Sequence, residues 1–199
     1  MSTVLAAGFS GVIGLTDWYL GTVGFSYKDW DGVFYPQGAP ARSYLAHYSQ
    51  IFNAVELDST FYGTPPAERV RQWAVTVPPS FKFCPKTPRQ ITHDMRLINT
   101  GDLMQAYLET MQLLNEHLGP ILIQLPPSFA AAEFDTVDKF LNREGECEHG
   151  VCNTFAYFVI LGKDQNDRDF VVLLSNRTAD TYSCTSKGSS VDDNQTCIG

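Results

Sequence analysis

Three side chains in the first half of the chain have the chemistry of proton transfer: Glu56, Lys86 and His93. Glu56 and Lys86 stand near the ends of two short apolar segments, and a carboxylate close to an ammonium keeps both groups charged. Such a pair can work as an acid–base couple or as a structural ion pair. His93 changes charge near neutral pH, although a surface or helix-capping histidine is the structural alternative. We predict these three as catalytic residues.

A second group of polar residues is suited to holding a ligand. Arg89 follows Lys86 across a turn that Pro85 and Pro88 stiffen, and its guanidinium offers a bidentate fork to a phosphate or carboxylate. Gln124 ends a later apolar segment, and its amide can orient a ligand. Arg89 and Gln124 are therefore predicted to bind substrate, with a solvated basic turn and ordinary packing as the structural alternatives.

The segment GFSYKDWDGVFYP, residues 24–36, contains five aromatic side chains in a stretch with the composition of a loop. Aromatic residues in a long loop commonly pack that loop against its own fold. Tyr27 and Trp30 also carry a polar group that can meet a ligand. We predict these two as substrate-binding residues.

An alternation of apolar and helix-compatible segments must position these side chains. Short β-rich runs occur at residues 18–23, 54–57, 81–85 and 121–125, and helix-compatible stretches at 41–52, 67–75, 103–118 and 133–141. Four strand–helix units predict a parallel α/β sheet with right-handed crossovers, either doubly wound or closed into a barrel. Because the carboxyl ends of parallel strands share one edge, Glu56, Lys86 and Gln124 are expected at one opening.

Four segments resemble, in order and spacing, the signature segments of the YecE-like family of uncharacterised proteins: GTVGFSYKDWDGVFYP, FNAVELDSTFYGTPP, FKFCPKTPRQITHD and LGPILIQLPPSF. The resemblance implies a TIM-type barrel, and a (β/α)8 barrel needs about 250 residues. Residues 18–143 supply about four β/α units, so we predict a partial (β/α)8 barrel. Asp58 is a mild departure, because family members generally have Asn there.

The sequence changes character after residue 143. Residues 1–17 are predicted as an N-terminal extension, and residues 144–199 as a non-matching, partly disordered tail. Two apolar runs in this tail, TFAYFVILG and DFVVLLSN, could form strands. Three explanations stay open: a frameshift, splice variant or gene-model error; a diverged completion of the fold; or a small independent module.

Composition and charge argue against several classes of partner. The 199 residues carry a net charge of −8, which argues against nucleic acid because phosphate backbones bind clustered basic groups. No apolar run reaches the length of a membrane span, so we expect a cytoplasmic protein without a membrane partner. Walker and other nucleotide-binding motifs are absent, so no cofactor is expected.

The cysteines are concentrated in the tail, where His149 accompanies four of them: Cys147, Cys152, Cys184 and Cys197. Zinc binding and, in a secreted product, disulfides are the alternatives to no specific role. Their spacing matches no common zinc motif, so no metal site is predicted.

Two functional hypotheses follow. In the first, the chain is an enzyme, or a relic or fragment of one, that acts on a small anionic substrate at the carboxyl face of the strands. In the second, it is a non-catalytic truncated or variant half-barrel that binds a partner or self-associates through open sheet edges. The residues alone do not decide whether the chain is an enzyme.

Overall fold

The computed structural model describes residues 4–9, 17–130, 133–141, 157–163, 169–174 and 183–185. Its strands are β1 (Val4–Phe9), β2 (Asp17–Thr22), β3 (Ala54–Leu57), β4 (Lys82–Pro85), β5 (Ile121–Gln124), β6 (Tyr157–Lys163), β7 (Asp169–Leu174) and β8 (Ser183–Thr185). Its α-helices are α1 (Tyr44–Tyr48), α2 (Ala67–Thr76), α3 (Gly101–Met111) and α4 (Phe134–Leu141). The predicted α/β class is confirmed, with helices and strands alternating from β2 to α4.

The strands β2 to β5 lie side by side in chain order and run parallel. β3 and β4 form a parallel ladder in which Glu56 lies opposite Cys84. Single parallel bridges join this ladder to its neighbours, from Val23 to Glu56 on one side and from Lys86 to Leu122 on the other. The carboxyl ends of all four strands therefore meet at one edge.

The close approach of β2 to β3 requires a glycine. A Cβ atom on Gly21 would lie 2.0 Å from the carbonyl oxygen of Ala54, a separation that no side chain tolerates. Tyr48 of α1 secures the same junction, because its hydroxyl accepts the Thr22 amide at 2.8 Å and donates to the Ala54 carbonyl at 3.0 Å. The start of the loop after β2 is thus held firmly against the sheet.

Both outer strands of the parallel group have partners within the chain. β1 pairs antiparallel with β2, and β6 pairs parallel with β5, matching Ile121 with Tyr157 and Gln124 with Ile160. β7 and β8 continue this sheet in antiparallel orientation. The expectation of self-association rested on two open edges of the parallel sheet, and strands from the predicted extension and tail occupy both of them.

Side chains of the parallel strands alternate between two faces. One face joins the helices in a hydrophobic core that contains Val55, Leu57, Phe83, Ile121, Ile123, Val70, Leu108 and Met111. The residues between these strand positions, Glu56, Cys84 and Leu122, lie on the opposite face and are also buried. A carboxylate therefore occupies a buried position on the face directed away from the helices.

Two predicted helices are divided in the structure. The stretch predicted at 103–118 is α3 followed by a 3-10 helix, Gln112–His117, in which Asn115 has a φ of 51°. The stretch predicted at 41–52 is a 3-10 turn, Ala41–Ser43, followed by the short α1. Apolar spacing reports which side of a segment is buried, and it does not distinguish 3-10 from α hydrogen bonding.

Candidate active site

Glu56 is a buried carboxylate near the carboxyl end of β3, with 6% of its surface exposed. Burial raises the pKa of its carboxyl, the Lys86 ammonium opposes this with a smaller lowering, and Asp58 adds a further raising. Beside it, burial and then the charge of Glu56 raise the pKa of the Cys84 thiol to about 12. Glu56 therefore retains its proton to a higher pH than an ordinary glutamate, and Cys84 stays a neutral thiol.

Lys86 follows β4 and forms a salt bridge with Asp58. Its Nζ lies 2.9 Å from Asp58 Oδ1, and 13% and 35% of the two side chains are exposed. The sequence predicts Glu56 as the partner, whereas the ammonium binds Asp58 and acts on Glu56 through its charge. The strand register explains this choice, because Leu57 lies opposite Pro85 and the next residues, Asp58 and Lys86, fall at the same level.

The backbone of Lys86 is held by two buried hydroxyl groups. The Thr60 side chain, with no exposed surface, accepts the Lys86 amide at 2.9 Å and donates to the Lys86 carbonyl at 2.6 Å. The Tyr107 hydroxyl of α3 donates to the same carbonyl at 3.0 Å. These contacts fix the place from which the ammonium extends.

The Phe61 ring connects Lys86 with His93. The ammonium lies 4.7 Å from the ring centre, and the His93 ring contacts Phe61 edge-on at 5.0 Å and 80°. His93 belongs to a π-helical turn, Gln90–Asp94. Burial lowers its pKa, and the cations Arg89 and Lys86 lower it further, so the imidazole is predominantly neutral at pH 7. We call the residues Glu56, Asp58, Lys86 and His93 the charged edge.

Arg89 lies beside the charged edge and faces solvent. Its Nε lies 3.2 Å from Asp94 Oδ1, and 62% and 54% of the two side chains are exposed. A ligand at this position would share the guanidinium with Asp94. Arg89 is thus near enough to lower the pKa of His93, but an exposed ion pair already engages it.

The predicted aromatic ligands separate into two environments. We call residues 24–36 the aromatic loop; within it, the Tyr27 and Trp30 ring centres are 4.9 Å apart. Burial, followed by the charges of Asp58 and Glu56, raises the pKa of Tyr27, so this hydroxyl is within electrostatic range of the charged edge. Trp30 instead packs against Phe34 at 5.1 Å. Tyr27 borders the site, and Trp30 belongs to the packing of the loop.

Gln124 ends β5 at the same edge of the sheet and is partly exposed. Leu122, two residues earlier, forms the bridge to Lys86. Since alternate strand residues share a face, the Gln124 side chain is on the same side of β5 as Leu122.

A brace between two loops was not anticipated from the sequence. Arg96, in the segment after β4, approaches Glu133 Oε2 to 2.6 Å and donates to the Ser128 carbonyl at 3.2 Å. Hydrogen bonding from Arg96 is the first cause that lowers the pKa of Glu133. The two partners are 37 residues apart, and no local pattern marks such a pair. The role of Phe61 is likewise not marked in the sequence, because its ring contacts Lys86 and His93, which follow a different strand.

Metal-binding geometry is absent from the described residues, where no three His, Cys, Asp or Glu side chains are grouped to hold an ion. Of the tail residues considered for zinc, Cys184 lies in β8, whereas Cys147, His149, Cys152 and Cys197 fall outside the described ranges. Among all the residues that the structure describes, no helix is long and apolar enough to cross a membrane.

Comparisons with known proteins place the chain among relatives of similar sequence. A family model described as "Protein of unknown function DUF72" matches residues 19–151. UPF0759 protein YecE of Escherichia coli (strain K12) is 32% identical over 122 residues, which are 61% of this chain and 45% of YecE. UPF0759 protein YunF of Bacillus subtilis (strain 168) is 29% identical over 117 residues, which are 56% of this chain and 40% of YunF.

A solved structure supports the same relationship. The DUF72 family protein of Thermotoga maritima MSB8 aligns with a TM-score of 0.53 and 31% identity, covering 61% of this chain and 50% of that protein. The chain spans less than half the length of the two curated relatives. The resemblance carried by the four sequence segments is confirmed, and the chain belongs to the DUF72 family.

Proposed function

We propose that this chain, as an enzyme or a fragment of one, binds a small anionic substrate at the carboxyl edge of β3 and β4 and transfers a proton to or from it. One observation carries the proposal: Glu56 is a buried carboxyl with a raised pKa within electrostatic range of the Lys86–Asp58 ion pair. Perturbed carboxyls beside a cation at strand ends are typical of acid–base sites.

Lys86 is the anion-binding group in this proposal. An ammonium has three donors, and Asp58 accepts one of them. The remaining donors can reach an anion without breaking the salt bridge. Thr60 and Tyr107 hold the Lys86 backbone, so little conformational freedom is lost when an anion binds. Arg89, Gln124 and Tyr27 lie around the same edge and are proposed to contact the substrate; Trp30 supports Tyr27 by packing.

Glu56 and His93 are the proton-transfer groups in this proposal. Glu56 supplies a carboxyl that is still protonated where ordinary glutamates are ionised. The Thr92 hydroxyl lies 3.3 Å from the Pro88 carbonyl and 2.9 Å from His93 Nδ1. We assign its single hydrogen to the carbonyl, so that Nδ1 donates to the hydroxyl and Nε2 keeps a lone pair. In this proposal His93 is the base, and Glu56, whose pKa burial raises, is the acid.

The partial TIM-type barrel is part of the same proposal. Parallel strands in chain order, each followed by a helical connection, support it. Barrel enzymes act at the carboxyl ends of their strands, which is where the proposed site lies. The cytoplasmic location stays a prediction.

A non-catalytic half-barrel is the alternative, in which the chain binds a partner or another copy of itself. The salt bridge between Lys86 and Asp58 favours it, because a cation that is already paired needs no ligand. In this alternative, Lys86 and Asp58 form a structural ion pair and no anion binds.

Titration calorimetry with inorganic phosphate tests the proposal on the full chain. We expect measurable binding, and Lys86→Met should weaken it about 10- to 150-fold, which corresponds to the ~1.5–3 kcal/mol of a charged hydrogen bond. Lys82→Met is the matched control, because Lys82 lies at the other end of β4 and donates to the Glu116 carbonyl. Absence of phosphate binding by the unmodified chain, or equal binding by the Lys86→Met variant, would exclude the proposed site.

A further inference from the structure

Tyr62 is an aromatic side chain displayed to solvent at the border of the charged edge. It is 80% exposed, although it directly follows Phe61. The two rings contact each other edge-on, with centres 5.5 Å apart and an angle of 84°. A single exposed aromatic residue is common on protein surfaces, so its neighbours decide whether it has a role.

The backbone below Tyr62 is rigid. Tyr62 ends a 3-10 helix, Asp58–Tyr62. The Thr60 hydroxyl at the centre of this helix lies 2.7 and 2.6 Å from the carbonyl oxygens of Leu57 and Lys86, which share its single hydrogen. The Gly63 amide donates to the Thr60 carbonyl at 3.3 Å, and Pro65 and Pro66 stiffen the chain that follows. The fold therefore presents this ring from a fixed position while leaving its faces open to solvent.

Phe61 brings Tyr62 close to the proposed anion site. The same Phe61 ring lies 4.7 Å from the Lys86 ammonium. Because these two contacts are 5.5 and 4.7 Å long, the Tyr62 ring centre lies within about 10 Å of the ammonium. The centres of stacked rings are about 4.5–7 Å apart. A small phosphomonoester can therefore stack its ring on Tyr62 while its phosphate reaches the Lys86 ammonium.

We propose that Tyr62 is a stacking surface for the ligand of the charged edge, and that this ligand is a small phosphomonoester bearing a planar ring. The inference rests on the proposed anion site. It adds the substrate class: Lys86 holds the phosphate, and the open face of Tyr62 receives the ring. An exposed tyrosine on a rigid support loses little conformational entropy when it stacks, which suits it to this role.

Three phosphate esters, compared at a pH well above their second pKa so that all are dianions, separate the ring from other effects. Methyl phosphate reports the phosphate contact alone, cyclohexyl phosphate adds an apolar group without a π face, and phenyl phosphate adds a planar ring. Calorimetry on the full chain should show phenyl phosphate binding about fivefold more tightly than either other ester, the ratio for a stacking contact of ~1 kcal/mol.

Two variants locate the preference. Tyr62→Ala should abolish the difference between phenyl and methyl phosphate while leaving the affinity for methyl phosphate unchanged, and Tyr62→Phe should retain the difference. Equal affinity for the three esters in the unmodified chain, or a phenyl preference that survives Tyr62→Ala, would overturn the stacking inference alone. Absence of binding by all three esters would overturn the anion site as well.

Discussion

The aromatic loop and the charged edge lie next to each other and use their residues in different ways. In the loop, the Trp30 carbonyl accepts the amides of Val33, Phe34 and Tyr35 at 2.9–3.2 Å, and the Tyr35 ring stacks on Tyr44 at 3.9 Å. At the charged edge, burial raises the pKa of the Glu56 carboxyl. The Lys86 ammonium donates one hydrogen bond to Asp58 and has two further donors. Abundant aromatic surface thus marks packing here, whereas the proposed chemistry rests on a few ionisable groups.

The largest expected effect comes from the loop. Tyr35 is 2% exposed and its hydroxyl donates to the Phe25 carbonyl, so Tyr35→Ala should lower the free energy of unfolding by ~3–5 kcal/mol, as for other buried aromatic truncations. Urea denaturation measures this change. Tyr62→Ala is the matched control at an exposed site and should change stability by less than ~0.5 kcal/mol. Equal losses in the two variants would remove the contrast between the regions.

Thr60→Val tests whether the charged edge depends on the hydroxyl anchor of Lys86. The variant leaves the Leu57 and Lys86 backbone groups without their Thr60 partner, so we expect a loss of ~1–3 kcal/mol in the free energy of unfolding and weaker phosphate binding. Thr110→Val, which removes only a hydroxyl bond to Ala106 within α3, serves as control. Unchanged phosphate affinity in Thr60→Val would show that the anchor does not position the ammonium.

The pH dependence of Glu56→Gln tests the buried carboxyl directly. The pKa of Glu56 in the folded chain lies above its ordinary value of 4.5. At pH values between 4.5 and the folded pKa, the folded chain therefore binds more protons than the unfolded chain. The unmodified protein therefore loses stability as pH rises through that window, and the Gln variant does not. Denaturation curves at several pH values should show the variant gaining relative stability with rising pH. If the difference in free energy of unfolding between the two proteins did not change with pH, the Glu56 carboxyl would have an unperturbed pKa.

Arg89→Ala is expected to have the smallest effect. Both members of the Arg89–Asp94 pair are more than half exposed, so the free energy of unfolding should change by no more than ~0.5 kcal/mol. Phosphate affinity should fall less than in Lys86→Met, because Arg89 already engages Asp94. A larger loss of affinity than in Lys86→Met would move the centre of the anion site to Arg89.

The sequence predicted the elements that build the site with little error. The runs at 54–57 and 121–125 became β3 and β5, and the stretch at 67–75 became α2 with one residue more. These predictions hold because burial on one side imposes a local period on each segment. The same runs show where each strand ends. Because the carboxyl ends of parallel strands share one edge, the sequence predicts Glu56, Lys86 and Gln124 at that edge.

The tail shows where local patterns stop being informative. Its apolar runs predicted strands, and β6 and β7 confirm them. Their pairing was beyond prediction, because a strand's hydrophobicity does not state which neighbour it joins or in which direction. The structure pairs β6 parallel with β5, and the three explanations for the tail stay open.

The sequence by itself determined the α/β alternation, the family, and the set of ionisable residues at the carboxyl edge. Only the tertiary structure decided their partners: Lys86 binds Asp58, 28 residues away, and Arg96 braces Glu133. The physical reason is register. A local period places each side chain on a face, but the offset between two strands decides which charges meet, and that offset depends on the packing of the whole sheet.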